Sequence, residues 1–229
     1  MDGTVVYKLC DVKPELIDAW NEQFVNYYDQ VQVHKGDIFQ DGPAADAIVS
    51  PANSFGFMDG GIDAVYTKHF GKQLSERLQH IIQDEYDGEL LVGQAIVLPI
   101  FENHVVPSDL TAEWRSCNDG QPIRYLISAP TMRVPLDVQE TVNSYLAFRA
   151  VILSVQKHNK THPEDPIRTV LCPGLGTAVG RMPAKRCAYQ MRRAYEIFEL
   201  GKHKKLLHPT HLMYMHYDHE TMSEYPMLN

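Results

Sequence analysis

Short apolar, β-branched runs alternate along this chain with segments of helical period, and that alternation leaves few folds open. The runs fall at 4–10, 31–34, 46–49, 93–100, 124–129 and 169–172. Behind Pro14, the residues Leu16, Trp20, Phe24 and Tyr27 recur at helical spacing, with the proline at a helix start where its missing N–H does no harm. The stretch from Gly61 to about Gln83 reads as helical. Val138, Val142, Tyr145 and Leu146 mark a long helix running to about Lys157, and Pro183 opens another with Ala184, Ala188, Met191, Tyr195 and Phe198 on one face. The tail after Gly201 shows no clear period. Several of the strand-like runs are continuously apolar, as in strands covered on both faces. The expected fold class is therefore α/β, a three-layer α/β/α sandwich with a mixed, mostly parallel central sheet.

The chain has 229 residues, no internal repeat and no inter-domain linker, which predicts one domain over 1–229. Its core is expected over about 31–200, with an N-terminal strand and helix as an extension over 1–30 and a tail over 201–229. A chain this long buries roughly 70% of its unfolded surface, so no disulfide or metal staple is required. Cys10, Cys117, Cys172 and Cys187 form no C-x-x-C pair and read as free thiols of a reducing compartment. No basic region followed by an apolar stretch opens the chain, and no run approaches a membrane span, so the expected location is the cytoplasm. The net charge of −8 argues against a broad nucleic-acid-binding surface. It leaves room for a local anion pocket built from backbone N–H groups. Nothing signals the oligomeric state.

Two segments carry the chemistry. The first, VHKGDIFQDGPAADAIVSPANSFGFMDGGID at 33–63, ends one strand at Gly36-Asp37-Ile38 and another at Pro51-Ala52-Asn53. Ligands in open α/β sheets sit at such strand ends. Gly56, Gly60 and Gly61 then lead into a helix, whose start favours an anion. Asp59 and Asp63 oppose an anion there unless they point elsewhere. The same residues also read as structural: Asp37 closing a turn, Asn53 supporting one, and Asp63 stabilising a first helical turn. The second segment, LCPGLGTAVGRMP at 171–183, is a strand leading into Gly174-x-Gly176-x-x-x-Gly180 and then a helix at Pro183. Its late position and off-by-one spacing exclude a dinucleotide fingerprint of the dehydrogenase kind, and no Gly-Lys-Ser/Thr supports a P-loop.

Together these segments resemble the macrodomain family. The resemblance rests on GDI at 36–38, DAIVSPAN at 46–53, DGGID at 59–63 and GLGTAVGRMP at 174–183, in order along about 31–200. It implies a site for ADP-ribose or an ADP-ribosylated substrate. Asp37 would accept from the adenine amine, with Ile38 beside the ring. Gly60, Gly61 and Ile62 would offer N–H groups to one side of the pyrophosphate, and Gly174, Gly176, Thr177, Ala178, Val179 and Gly180 would form the other side. Asn53 would face the distal ribose. Asn53 and Asp63, ten positions apart, match the pair by which MacroD-type members hydrolyse ADP-ribosyl esters such as ADP-ribosylated carboxylates or O-acetyl-ADP-ribose. The resemblance makes them candidate catalytic residues, the Asp positioning or deprotonating a water.

There are departures. Ser50 stands where the family's first Asn is usual, Asp59 stands for a glycine, and the second loop lacks the family's aromatic. Hydrolase and non-catalytic reader therefore both remain open. No cofactor and no metal are expected, although His203, His208, His211, His216 and His219 crowd the tail. His69 and His80 read as packing or surface residues. Nothing around Lys68 marks it as reactive, and Cys172, which ends a strand beside the second glycine loop, reads either as a redox-sensitive thiol or, more commonly, as a buried free cysteine. The irregular 101–123 stretch, with Trp114, reads as an insertion that is either a lid or a protein contact.

Overall fold

The computed structural model describes residues 4–102, 117–202 and 212–226. A six-stranded sheet holds β1 (Val6–Asp11), β2 (Val31–Lys35), β3 (Ala47–Ser50), β4 (Ile96–Pro99), β5 (Tyr125–Ser128) and β6 (Thr169–Cys172) in the order β2-β1-β6-β3-β5-β4. All neighbours pair in parallel except the edge strand β4, which runs antiparallel to β5. The fold is a three-layer α/β/α sandwich with a mixed, mostly parallel sheet.

The two layers follow from side-chain alternation along each strand. In β3, Ala47 and Val49 join a core with α1 (Pro14–Phe24), α4 (Asn143–Thr161) and α5 (Ala184–Ala194). Ile48, between them, points to the opposite core, built with α2 (Gly61–Phe70) and α3 (Lys72–Glu85). Because both faces are covered, β3 is buried along its whole length, and this explains its unbroken apolar run. In α1, Leu16, Trp20 and Phe24 form one buried stripe, each contributing about 1.5–3 kcal/mol on burial. The Trp20 indole Nε1 lies 3.4 Å from Met191 Sδ, which locks α1 onto α5.

Several boundaries differ from the sequence reading. The helical stretch 61–83 is two helices, because Gly71 adopts φ +92 between α2 and α3, a conformation open to few residues besides glycine. The helix marked by Val138 begins only at Asn143 and runs to Thr161. The tail without clear period contains α6 (Leu212–Glu224), packed on α5 and bound there by the Arg193–Asp218 ion pair. Strand β1 lies inside the sheet, between β2 and β6.

Asp46 binds these strands together below the site. Burial would raise its proton affinity, but the backbone N–H of Arg168 and the Arg124 guanidinium outweigh that and hold the carboxyl below its ordinary range. Its Oδ2 also accepts from the Thr169 backbone and hydroxyl, at 2.9 and 3.1 Å.

Candidate functional site

The five parallel strands end on one edge of the sheet, and the segments leaving them converge on a cavity of about 410 Å³. Its walls are Asp11–Lys13 after β1, Gly36–Ile38 after β2, Pro51–Asn53 after β3, Thr131 and Met132 after β5, and Pro173–Gly180 after β6. The antiparallel β4 contributes nothing. The start of α2, with Gly60, Gly61 and Ile62, closes the cavity beyond β3. Every sequence-selected residue is brought here: Asp37, Ile38, Asn53, Gly60, Gly61, Ile62, Asp63, Gly174, Gly176, Thr177, Ala178, Val179 and Gly180 all line this one space.

The glycines leave room. A Cβ placed at Gly60 or Gly61 would meet nothing within 4 Å, so this wall presents bare backbone to the cavity at the start of a helix. The opposing loop is closed on itself: Met182 N donates to Gly176 O at 3.0 Å and Arg181 N to Ala178 O at 3.0 Å. Val138 N donates to Gly180 O at 2.9 Å and ties the loop to the segment before α4. At Gly180 a Cβ would lie 2.6 Å from the Gly176 carbonyl oxygen, so the two backbones pass too close for any side chain.

The carboxylates are less hostile to an anion than their number suggests. Asp11 is committed to the fold, with Oδ1 accepting from Lys13 N at 3.0 Å and Oδ2 from Gly174 N at 3.3 Å. Asp37 turns Oδ1 to the N–H groups of Phe39 and Gln40, at 2.9 and 3.2 Å, so it does close a turn. Asp63 is only 6% exposed and accepts at Oδ1 from Ser50 Oγ, 2.6 Å away. Burial pushes its carboxyl up to about 7; Asp59 adds to the rise, and the Ser50 hydroxyl opposes it. Asp59 remains exposed, the one lining carboxylate with no such engagement among the described residues.

Asn53 also makes a turn. Its Oδ1 accepts from Phe55 N at 3.0 Å and Phe57 N at 3.3 Å, and its Nδ2 donates to Phe57 O at 2.8 Å. Both ends of the amide are engaged within 53–57.

Sequence reasoning missed Lys13, Phe57 and the partnership of Ser50 with Asp63. Among the described residues, Lys13 is the single Lys or Arg lining the cavity, and its Nζ donates to Thr177 O at 3.0 Å. The available signal was positional: Asp11-Val12-Lys13 leaves β1 as Gly36-Asp37-Ile38 leaves β2.

The side candidates fall outside this site. His69 stacks on Phe39 at 3.9 Å, and Cys172 is fully buried, which raises its thiol well above the ordinary range. Cys10 lines the cavity, but burial first and the nearby Asp11 next push it up to about 11. Among the described residues no group of three or more His, Cys, Asp or Glu is placed to hold a metal ion, and no helix is long and apolar enough to cross a membrane. His203, His208, His211 and Trp114 lie outside the described residues.

A family model described as a Macro-like domain matches residues 17–223. Among solved structures, the macrodomain of Mycobacterium tuberculosis DarG is 16% identical over 71% of this chain and 88% of its own, with a TM-score of 0.51. An Oceanobacillus iheyensis macrodomain with ADP is 20% identical over 75% and 88%, at a TM-score of 0.47. Thermosipho africanus DarTG in complex with ADP-ribose is 15% identical over 66% and 35%, at 0.48. The likeness to the first is a likeness of fold.

Proposed function

This chain belongs to the Macro-like domain family, and we propose that its cavity binds ADP-ribose and hydrolyses an ADP-ribosyl ester. The substrate class is an ADP-ribosylated carboxylate or O-acetyl-ADP-ribose. Asp37 follows β2 and Asn53 follows β3, three places apart in the sheet, or roughly 14 Å at the usual strand spacing. An extended nucleotide diphosphate sugar bridges such a gap. Adenine lies at Asp37 and Ile38. The pyrophosphate lies between the N–H groups of Gly60–Ile62 and those of Gly176–Gly180, with the Lys13 ammonium adding the positive charge that the walls otherwise lack. The distal ribose then reaches Asp63.

Asp63 carries the catalytic part of this reading. It is a buried carboxylate on the cavity wall, aligned by Ser50, with a proton affinity near neutral. A general base works best when its pKa lies close to the working pH. Oδ1 takes the serine hydroxyl, which leaves Oδ2 to accept a proton from a water. With an ADP-ribosylated carboxylate that water attacks the distal ribose C1 and the carboxylate leaves; with O-acetyl-ADP-ribose it attacks the acetyl carbonyl carbon and the ribose oxygen leaves, taking up a proton.

A binding module without chemistry is the second reading. It is favoured by Asn53, whose amide is already engaged within its own turn instead of orienting the ribose hydroxyls.

The test is calorimetric titration with ADP-ribose on wild type and Asp37→Ala, followed by a hydrolysis assay on an ADP-ribosylated carboxylate with Asp63→Ala. Binding weakened by Asp37→Ala, with turnover abolished in Asp63→Ala, is the expected result. Binding without wild-type turnover selects the reader. Absence of binding removes the ligand assignment.

A further inference from the structure

Phe57 is a large aromatic left 55% exposed on the wall of a cavity. Its position is nevertheless fixed. Asn53 holds its backbone at both the N–H and the carbonyl. Next to it, Thr67 Oγ1 donates to Met58 O at 2.5 Å, and Ser75 Oγ donates to Gly56 O at 3.1 Å. The turn carries a second ring, Phe55, which lies beneath the Arg133 guanidinium at 5.1 Å, and Arg133 is in turn paired with Glu89. Among the described residues Phe57 has no such ring or cation partner. Leaving an aromatic ring in water forgoes the free energy of burying it. A ring carried on a fixed backbone and uncovered on a cavity wall is suited to being covered by whatever enters. Val65 and Val179, 44% and 56% exposed and lining the same cavity, extend the apolar rim.

The polar part of the remaining wall is backbone, carboxylate, hydroxyl and one ammonium, which suits charged and hydroxyl groups, and its other side chains, Val12, Ile38 and Met132 among them, are aliphatic and not aromatic. An aromatic face suits the C–H side of a sugar. Through Asn53, Phe57 belongs to the β3 end of the cavity, where Asp63 also sits, and not to the Asp37 end.

We propose that Phe57 packs on the C–H face of the distal sugar, and that Asn53 is a positioning residue that presents this ring. This rests on the reading of the cavity as an ADP-ribose site. Asn53 then acts on the sugar through Phe57, and the ring discriminates a nucleotide diphosphate that carries a distal sugar from one that does not.

The experiment compares ADP-ribose with ADP, which lacks that sugar, by calorimetry on wild type, Phe57→Ala, Phe57→Tyr and Asn53→Ala. Phe57→Ala should weaken ADP-ribose by about fivefold to tenfold, the size of one aromatic contact, and change ADP by less than about twofold. Phe57→Tyr should restore the ADP-ribose affinity, since it keeps the ring face. Asn53→Ala should reproduce the split, because it frees the turn without touching the adenosine end. Equal losses for the two ligands, or an ADP-ribose affinity indifferent to Phe57→Ala, would overturn the proposal while leaving the ADP-ribose reading intact. Wild type that binds ADP but gains nothing from the distal sugar would also overturn it. Wild type that binds neither ligand overturns both.

Discussion

Replacing Asp63 with asparagine removes a carboxylate that the fold keeps protonated up to about pH 7. Burial is the main cause, so the effect must appear in stability. In the unfolded chain the group ionises near 3.8, the ordinary value for an aspartate. Between the two values the folded chain holds a proton that the unfolded chain has lost, so wild-type stability falls as pH rises through this window. Below the lower value there is no penalty, and above about 7 it is complete. The full span corresponds to about 4 kcal/mol at roughly 1.36 kcal/mol per pH unit. Of this, about 2–3 kcal/mol is lost between about pH 5 and about pH 8. In Asp63→Asn the titration is gone. The amide has its own cost of burial, about 1–3 kcal/mol if its N–H groups are left unpaired, but that cost does not vary with pH. Other titrating groups are common to both proteins and largely cancel. The difference in unfolding free energy should therefore swing by about 2–3 kcal/mol in favour of the variant between those two pH values. Urea unfolding of both proteins across the range, at matched m values, measures it. A swing below about 1 kcal/mol, or one of opposite sign, would refute the claim that Asp63 is held protonated by burial.

Three further outcomes follow from the same geometry. Ser50→Ala removes the hydroxyl that lowers the proton affinity of Asp63, so the pH at which stability is finally lost should move above that of wild type in the same urea series. Lys13→Met should weaken ADP-ribose by about tenfold at low salt and flatten its salt dependence, leaving adenosine unaffected; calorimetry at two ionic strengths reads this, and unchanged affinity would remove Lys13 from the site. Gly180→Ala drives a Cβ into the Gly176 carbonyl, so ligand binding should be lost along with about 1–3 kcal/mol of stability, and a variant with native affinity would show that the loop yields there.

All six strands were legible in the chain as short β-branched or apolar runs, and in β3 and β5 burial on both faces leaves the run buried along its whole length. The glycine segments were legible because close backbone approach excludes other residues. Helix limits were less so. The apolar period runs on from α2 into α3 through Gly71, and only the backbone reversal there divides them. The α6 stripe is weak because much of that helix stays exposed, with Leu212, Met213, Tyr214 and Tyr217 all uncovered.

The site divides the same way. The linear order of residues was enough to place Asp37 and Asn53 at strand ends, the two glycine segments between strand and helix, and Asp63 in the helical turn that follows the first of them, since that depends on local pattern and connectivity. The choice between turn-maker and ligand contact was not, because it depends on which atoms already have partners. Asn53 turned both ends of its amide inward, and Asp11, unmarked in the sequence, became the anchor of the second loop. Lys13 reaches Thr177 across 164 positions of chain, and no local pattern carries that pairing. The proton affinity of Asp63 is likewise a sum over space, of lost water, a serine hydroxyl from β3 and the charge of Asp59, and it exists only once the layers have closed around it.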